Sequence, residues 1–421
     1  MSVAKEQREK LIWEFPNIGK KAPEQEEKAF AYCEGYKEFL NAAKTEREFV
    51  REAVLRLKEA GYEEFEEGKI YQPGDKVYQI NRKKALLMST FGKRPLEDGV
   101  RINVAHIDSP RLDLKPNPLF EKDEIAYLKP HYYGGIRKYQ WGTVPLSMHG
   151  VVVKADGEVV EISIGENEGD PQFCVTDLLP HLASEQNGRK LAEGLKGEEL
   201  NIIIGSIPYH DEENEKIKNP AKLLAMKLLN ERYGITEKDF TRAEIEMVPA
   251  YKAVDIGLDR GLVGSYGQDD RVCAYTALMA EIGTKNPEHT TFTILTDKEE
   301  IGSVGNTGLH SDYVHHAVED LAESFGADTK TVLRHSICLS SDVNAAYDPT
   351  FASVYESRNS SYVNKGCVLT KYTGARGKSG SSDASAETMA KVIGIMEENG
   401  VYWQIGELGA VDAGGGGTIA Q

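Results

Sequence analysis

Three short apolar runs constrain the fold more than anything else in this chain. VRINVAHID (100–108) alternates like a strand and ends in His106 and Asp108. TTFTILTD (290–297) reads as a strand and is followed by Lys298, Glu299 and Glu300. HSICLSSD (335–342) reads as a third and ends at Asp342. Stretches of helical period surround them. Phe30, Cys33, Tyr36, Phe39, Leu40 and Ala43 recur near every 3.6 residues within 24–60, and Thr45 with Glu48 forms a capping-box pattern before Val50, Val54 and Leu57. Residues 266–283 start in a turn at Asp269-Asp270 and become a helix with Val272, Leu278, Met279 and Ile282 on its apolar stripe. SSDASAETMAKVIGIMEENG leads into another helix, and GGGGTIA (414–420) reads as a loop opening one more. Strands alternating with helices predict an α/β fold.

The rhythm breaks once. SPRLDLKPNP is interrupted by prolines, and Tyr132, Tyr133, Gly134 and Gly135 read as loop. GVVVKADGEVVEISIG (150–165) reads as a hairpin turning at Asp156-Gly157, and NIIIGSIP (201–208) as a further strand. The expected organisation is an α/β domain formed by 1–110 and 245–421, with a β-rich domain, 111–244, inserted between. A chain of 421 residues is long enough for this.

Charge and composition exclude some classes. The formal charge is −17 with no Lys/Arg cluster, which argues against nucleic acid as a partner. No run of eighteen apolar residues is present, so no transmembrane helix is expected. Residues 1–10 are charged and lack the apolar core of a signal peptide, so a cytoplasmic location is expected. Five scattered cysteines without a CxxC pair fit reduced thiols.

In open α/β sheets, ligand sites lie beyond the carboxyl ends of strands. His106, Asp108, Asp269, Glu299, Glu300 and Asp342 all stand at strand ends or at a helix-opening turn. Each alone has a plainer reading as a cap, a turn or a solvated charge. Together they offer one imidazole and several carboxylates, a donor set for zinc, manganese or cobalt. A carboxylate can bridge two cations, and cations held close make a water they share more acidic. Two adjacent glutamates can divide the work, one ligating and the other carrying a proton.

These residues sit in segments that resemble the M18 family of metallo-aminopeptidases. The matching stretches are VAHIDSPRLDLKPNP, DLLPHLA, GSYGQDDRVCAYTAL, TDKEEIGSVGNTG, LSSDVNAAYDP and DAGGGGTIA, in the family's order from about residue 100 onward. The resemblance implies a phosphorylase/hydrolase-like central sheet with helices on both faces, and makes the inserted block a dimerisation domain. It implies two divalent ions, zinc foremost. His106 and Asp342 would bind one, Glu300 the other, and Asp269 would bridge them. Glu299 would be the general base and Asp108 the carboxylate that orients His106. It also implies a cis Asp269–Asp270 peptide. His181 would reach a neighbouring subunit's active site, and Lys371 would lie near the substrate. The implied activity is release of N-terminal residues from short peptides. The implied assembly is a homo-oligomer of dimers, a tetrahedral dodecamer.

The chain departs from the family pattern in two places. Asn344-Ala345-Ala346 and Asp348 stand where histidines are expected, which leaves the preferred N-terminal residue open; the Arg376/Lys378 loop could favour acidic side chains. The family's last ligand is a histidine some tens of residues beyond a GGGGTIA-like loop, whereas all ten histidines here precede residue 336. The sequence is therefore expected to be an incomplete record. The competing expectations are an M42-like peptidase, an amide deacylase, or a non-catalytic assembly or cargo protein that kept the fold.

Overall fold

The computed structural model describes residues 3–210, 217–378 and 380–415. They divide into two compact units, one of the described residues within 37–102 and 106–337, the other of those within 3–36, 103–105 and 338–415.

In the first unit, the Glu46–Glu59 helix begins with the expected capping box. Thr45 Oγ1 accepts from the Glu48 N–H at 3.2 Å, and Glu48 Oε2 accepts from the Thr45 N–H at 3.2 Å. Its buried positions, Phe49, Val50, Ala53 and Leu57, follow the helical period. Phe49 packs on Phe39 at 4.7 Å, and Phe39 on Tyr275 at 5.1 Å. That trio ties together the helices Glu26–Ala42, Glu46–Glu59 and Gln268–Gly283. Strands Lys76–Asn81, Ala85–Thr90 and Thr291–Thr296 pair antiparallel. All six residues of Ala85–Thr90 are buried, as in a strand covered on both faces. The Arg101 N–H donates to Thr290 O and the Ile107 N–H to Thr296 O, both at 2.9 Å. The Arg101–His106 strand thus delivers His106 to the same end of the sheet as Asp297.

A second, seven-stranded sheet follows the order Val159–Ile164, Leu146–Val153, Ala243–Pro249, Arg111–Lys122, Ile125–Tyr133, Ile202–Gly205, Cys174–Val175. Leu112, Leu128, Leu146, Met148, Ile202 and Met247 form the centre of its core. The hairpin turning at Asp156-Gly157 is present, with Gly157 at φ +91. Two expectations need correcting. The proline-broken segment is a twelve-residue strand, Arg111–Lys122. Pro116 and Pro118 fall where its register with Ile125–Tyr133 shifts, between Leu114 and Leu119, so their missing N–H groups break no regular ladder. Tyr132 and Tyr133 end that partner strand rather than lying in a loop, and Tyr133 pairs directly with Arg111.

A buried ionic clasp joins the Glu46–Glu59 helix to this sheet. His149 Nδ1 lies 2.8 Å from Glu48 Oε1, and its Nε2 lies 3.1 Å from Glu166 Oε1 and 3.0 Å from Ser147 Oγ. Lys44 and Lys252 also bind Glu166, at 2.8 and 2.7 Å. Burial alone would lower the His149 pKa, but the carboxylates of Glu166 and Glu48 outweigh it and raise it. A raised folded-state pKa gives stability that is fully present below the unfolded value of about 6.5 and is lost as pH rises through the folded value. His149→Gln should therefore cost about 1–3 kcal/mol near pH 6. The gap in melting temperature from the parent should narrow toward pH 9. An equal gap at both pH values would mean that the imidazolium is not the stabilising form.

The other unit holds the Val3–Leu11 helix, a parallel pair of strands Cys367–Leu369 and Trp403–Ile405, and the Ala386–Glu398 helix, whose N-cap Ser385 accepts from the Thr388 N–H. Trp13 packs edge-on against Phe15 and tilted against Trp403, with ring centroids at 4.4 and 4.5 Å. Its Ser341 N–H donates to Val104 O at 2.8 Å, one residue before Asp342. The reading of GGGGTIA falls mostly on residues 416–420, outside the described residues. Among the described residues, no helix is long and apolar enough to cross a membrane.

Candidate active site

His106 closes a strand, so its ring leaves the sheet at the carboxyl end, where it is 1% exposed. Nδ1 lies 3.1 Å from the Asp108 carbonyl and 3.4 Å from Asp108 Oδ1. An N–H at Nδ1 makes Nε2 the unprotonated nitrogen, the one suited to ligate. Nε2 faces Asp269 Oδ1 at 3.1 Å and Glu299 Oε2 at 3.7 Å.

Asp269 is placed by the turn before it. Gly267 has φ +77, and a Cβ there would lie 1.7 Å from Arg271 Nη1, so the turn needs glycine twice over. Arg271, almost wholly buried, donates to Ser109 Oγ at 3.0 Å and to Lys44 O at 2.7 Å. Ser109 in turn donates to Asp269 O at 2.6 Å. The Asp269–Asp270 peptide is cis, as expected.

Glu299 and Glu300 open a single 3-10 turn after the Thr291–Thr296 strand, with Lys298 at φ +74. Their N–H groups donate to the two oxygens of Asp108, at 3.1 and 3.2 Å. Tyr133 donates to Asp108 Oδ2 at 2.7 Å. Burial would raise the Asp108 pKa, but its bonds to His106 and Tyr133, with the Arg111 charge, hold it low. Asp108 is thus a buried carboxylate that binds the imidazole on one side and the two-glutamate turn on the other.

Several carboxylates crowd together here. Burial, with the carboxylates of Asp269, Asp108 and Glu299 nearby, pushes the Glu300 carboxyl up to about 8. His106, Glu299 and Glu300 bring one ligand atom each to within 4.8 Å of one another. One imidazole nitrogen with several oxygens fits zinc or a related divalent ion.

Five of the expected residues therefore come together: His106, Asp108, Asp269, Glu299 and Glu300. Asp342 follows the Ile337–Ser340 strand and accepts from the Val343 N–H at 2.7 Å. His181 is exposed on the segment before the Ser184–Asn187 helix. Lys371 Nζ is held by Asp383 Oδ1 at 2.5 Å and Ala384 O at 2.9 Å, and Lys378 binds the same carboxylate. Asp348 caps the Pro349–Val354 turn through the Thr350 N–H. Sequence reading missed Tyr133, Arg271 and Ser109. The alternation that makes 125–133 a strand was the one signal for Tyr133.

The model of the aminopeptidase I zinc metalloprotease family (M18) matches residues 39–421. The chain belongs to the M18 family. A probable M18 family aminopeptidase 1 of Clostridium acetobutylicum is 49% identical over 420 residues, covering 97% of this chain and 90% of that protein. The counterpart from Thermotoga maritima is 46% identical over 396 residues, covering 93% and 86%. The crystal structure of the M18 aminopeptidase from Thermotoga maritima superposes with a TM-score of 0.92 at 45% identity, covering 97% of this chain and 90% of that one. Membership makes this M18 protein a zinc-dependent aminopeptidase, a hydrolase of peptide bonds with a mixed α/β fold.

Proposed function

We propose that the chain removes N-terminal residues from short peptides using two divalent ions, zinc foremost, with manganese and cobalt as alternatives. His106 and Asp342 would hold one ion, Glu300 the other, and Asp269 both. Bound there, the ions would polarise the scissile carbonyl and make a water nucleophilic near neutral pH. Glu299 takes the proton from the attacking water and hands it to the leaving amine. Asp108 fixes the His106 tautomer and, through two backbone N–H groups, keeps Glu299 and Glu300 in register with it. The observation that carries this reading is that double anchoring: one buried carboxylate sets the imidazole and both glutamates at once.

The resemblance supports several finer assignments. Residues 111–244 form the inserted dimerisation domain, beside an α/β domain with a phosphorylase/hydrolase-like sheet. The chain works as a cytoplasmic homo-oligomer of dimers, a tetrahedral dodecamer. His181 completes a neighbouring subunit's pocket and Lys371 lies near the substrate. The exposed Leu178, Leu179 and Leu182 around His181 offer apolar surface for such a contact.

The test is zinc titration of metal-stripped protein, followed by release of aminoacyl-anilides with Asp, Glu, Leu, Met or Lys at the first position. Stripping should abolish release and zinc should restore it, with the preferred side chain defining the specificity. Release that is unchanged after stripping would contradict the proposal.

A further inference from the structure

We propose that Tyr133 is a positioning residue for this reaction, and that the second sheet thereby helps build the site. The inference rests on the metal assignment above. Tyr133 ends the Ile125–Tyr133 strand, its side chain is buried, and its hydroxyl donates to Asp108 Oδ2 at 2.7 Å. That oxygen also accepts the Glu300 N–H. The phenol therefore fixes the carboxylate that in turn fixes His106 and the Glu299–Glu300 turn.

The ring is itself held. Arg111, its cross-strand partner, lies with its guanidinium carbon 3.8 Å from the ring centroid. Arg111 is gripped by Asp113 at 2.7 Å, Glu246 at 3.3 Å and Glu46 at 3.5 Å. Burial opposes ionisation of both glutamates. Arg111 and Lys84 overcome it at Glu46, while at Glu246 burial prevails beside the Glu46 charge. The charged scaffold thus reaches from the Glu46–Glu59 helix and the second sheet, through Arg111 and Tyr133, to Asp108. The next residue, Gly134, adopts φ +72, and a Cβ there would lie 3.1 Å from Glu300 Oε2. The strand end therefore runs directly against a proposed ligand, where only glycine fits without displacing it.

Packing alone would be served by phenylalanine; the hydroxyl is what reaches Asp108. Tyr133→Phe should fold as the parent does. Its kcat should fall about tenfold with KM within about twofold, and its zinc affinity should fall about tenfold by chelator competition, in the range found for partners of metal ligands. Should the Phe variant fail to fold, p-methylphenylalanine at 133 fills the hydroxyl's volume without donating, and the same losses are expected. Unchanged kcat and zinc affinity, or a rise in KM alone, would overturn the assignment. If the parent itself shows no metal-dependent hydrolysis, the proposed function fails, while the zinc competition still reads Tyr133 separately.

Discussion

Glu299→Gln should lower kcat by about 10²–10⁴-fold while the variant keeps its zinc. The amide matches the carboxylate in shape but cannot accept the water's proton. The backbone explains why the effect should be confined to chemistry. Glu299 is anchored through its N–H on Asp108, so the change leaves the turn and the neighbouring Glu300 in place. Its Oε2 lies 3.7 Å from His106 Nε2, beside the proposed metal donors. Steady-state kinetics on the preferred anilide, with zinc content measured on the same sample, checks this. Turnover within a few-fold of the parent would remove Glu299 from the role of base.

The largest effect on stability is expected at Arg111. Arg111→Met removes the guanidinium that sits among Glu46, Glu246 and Asp113, and leaves Glu46 charged in a buried place. Breaking a buried pair by removing one partner costs about 3–5 kcal/mol. Lys84, 3.6 Å from Glu46, offsets part of this. Adding Glu46→Gln to Arg111→Met should recover a fraction, because the two residues share one network. Denaturant midpoints of parent, single and double variants measure the loss and the recovery. A single variant as stable as the parent would show that the charges are balanced without Arg111.

The contrast between these positions shows what a sequence can disclose. His106, Glu299 and Glu300 were legible because strand alternation stops at them and strand ends face the crevice of an α/β sheet. The Thr45/Glu48 box was legible because both partners lie within one turn of helix. Tyr133 was not. Its partner Asp108 is 25 residues away, and the two meet only through the register of a hairpin whose first strand carries two prolines. Arg271 was hidden likewise, since an arginine at the start of a helical pattern looks solvated until Ser109 and Lys44 are folded against it. The proposed ligands His106 and Glu300 stand at or just past strand ends, whereas Tyr133 and Arg271 act through contacts between separate elements.

These carboxylates and His106 are proposed to bind two metal ions that hydrolysis requires. The most direct measurement is zinc content per chain against anilide release in one titration of the stripped protein. Release should rise with zinc and reach its plateau at two ions per chain. A plateau at one ion, or release without any, would contradict it.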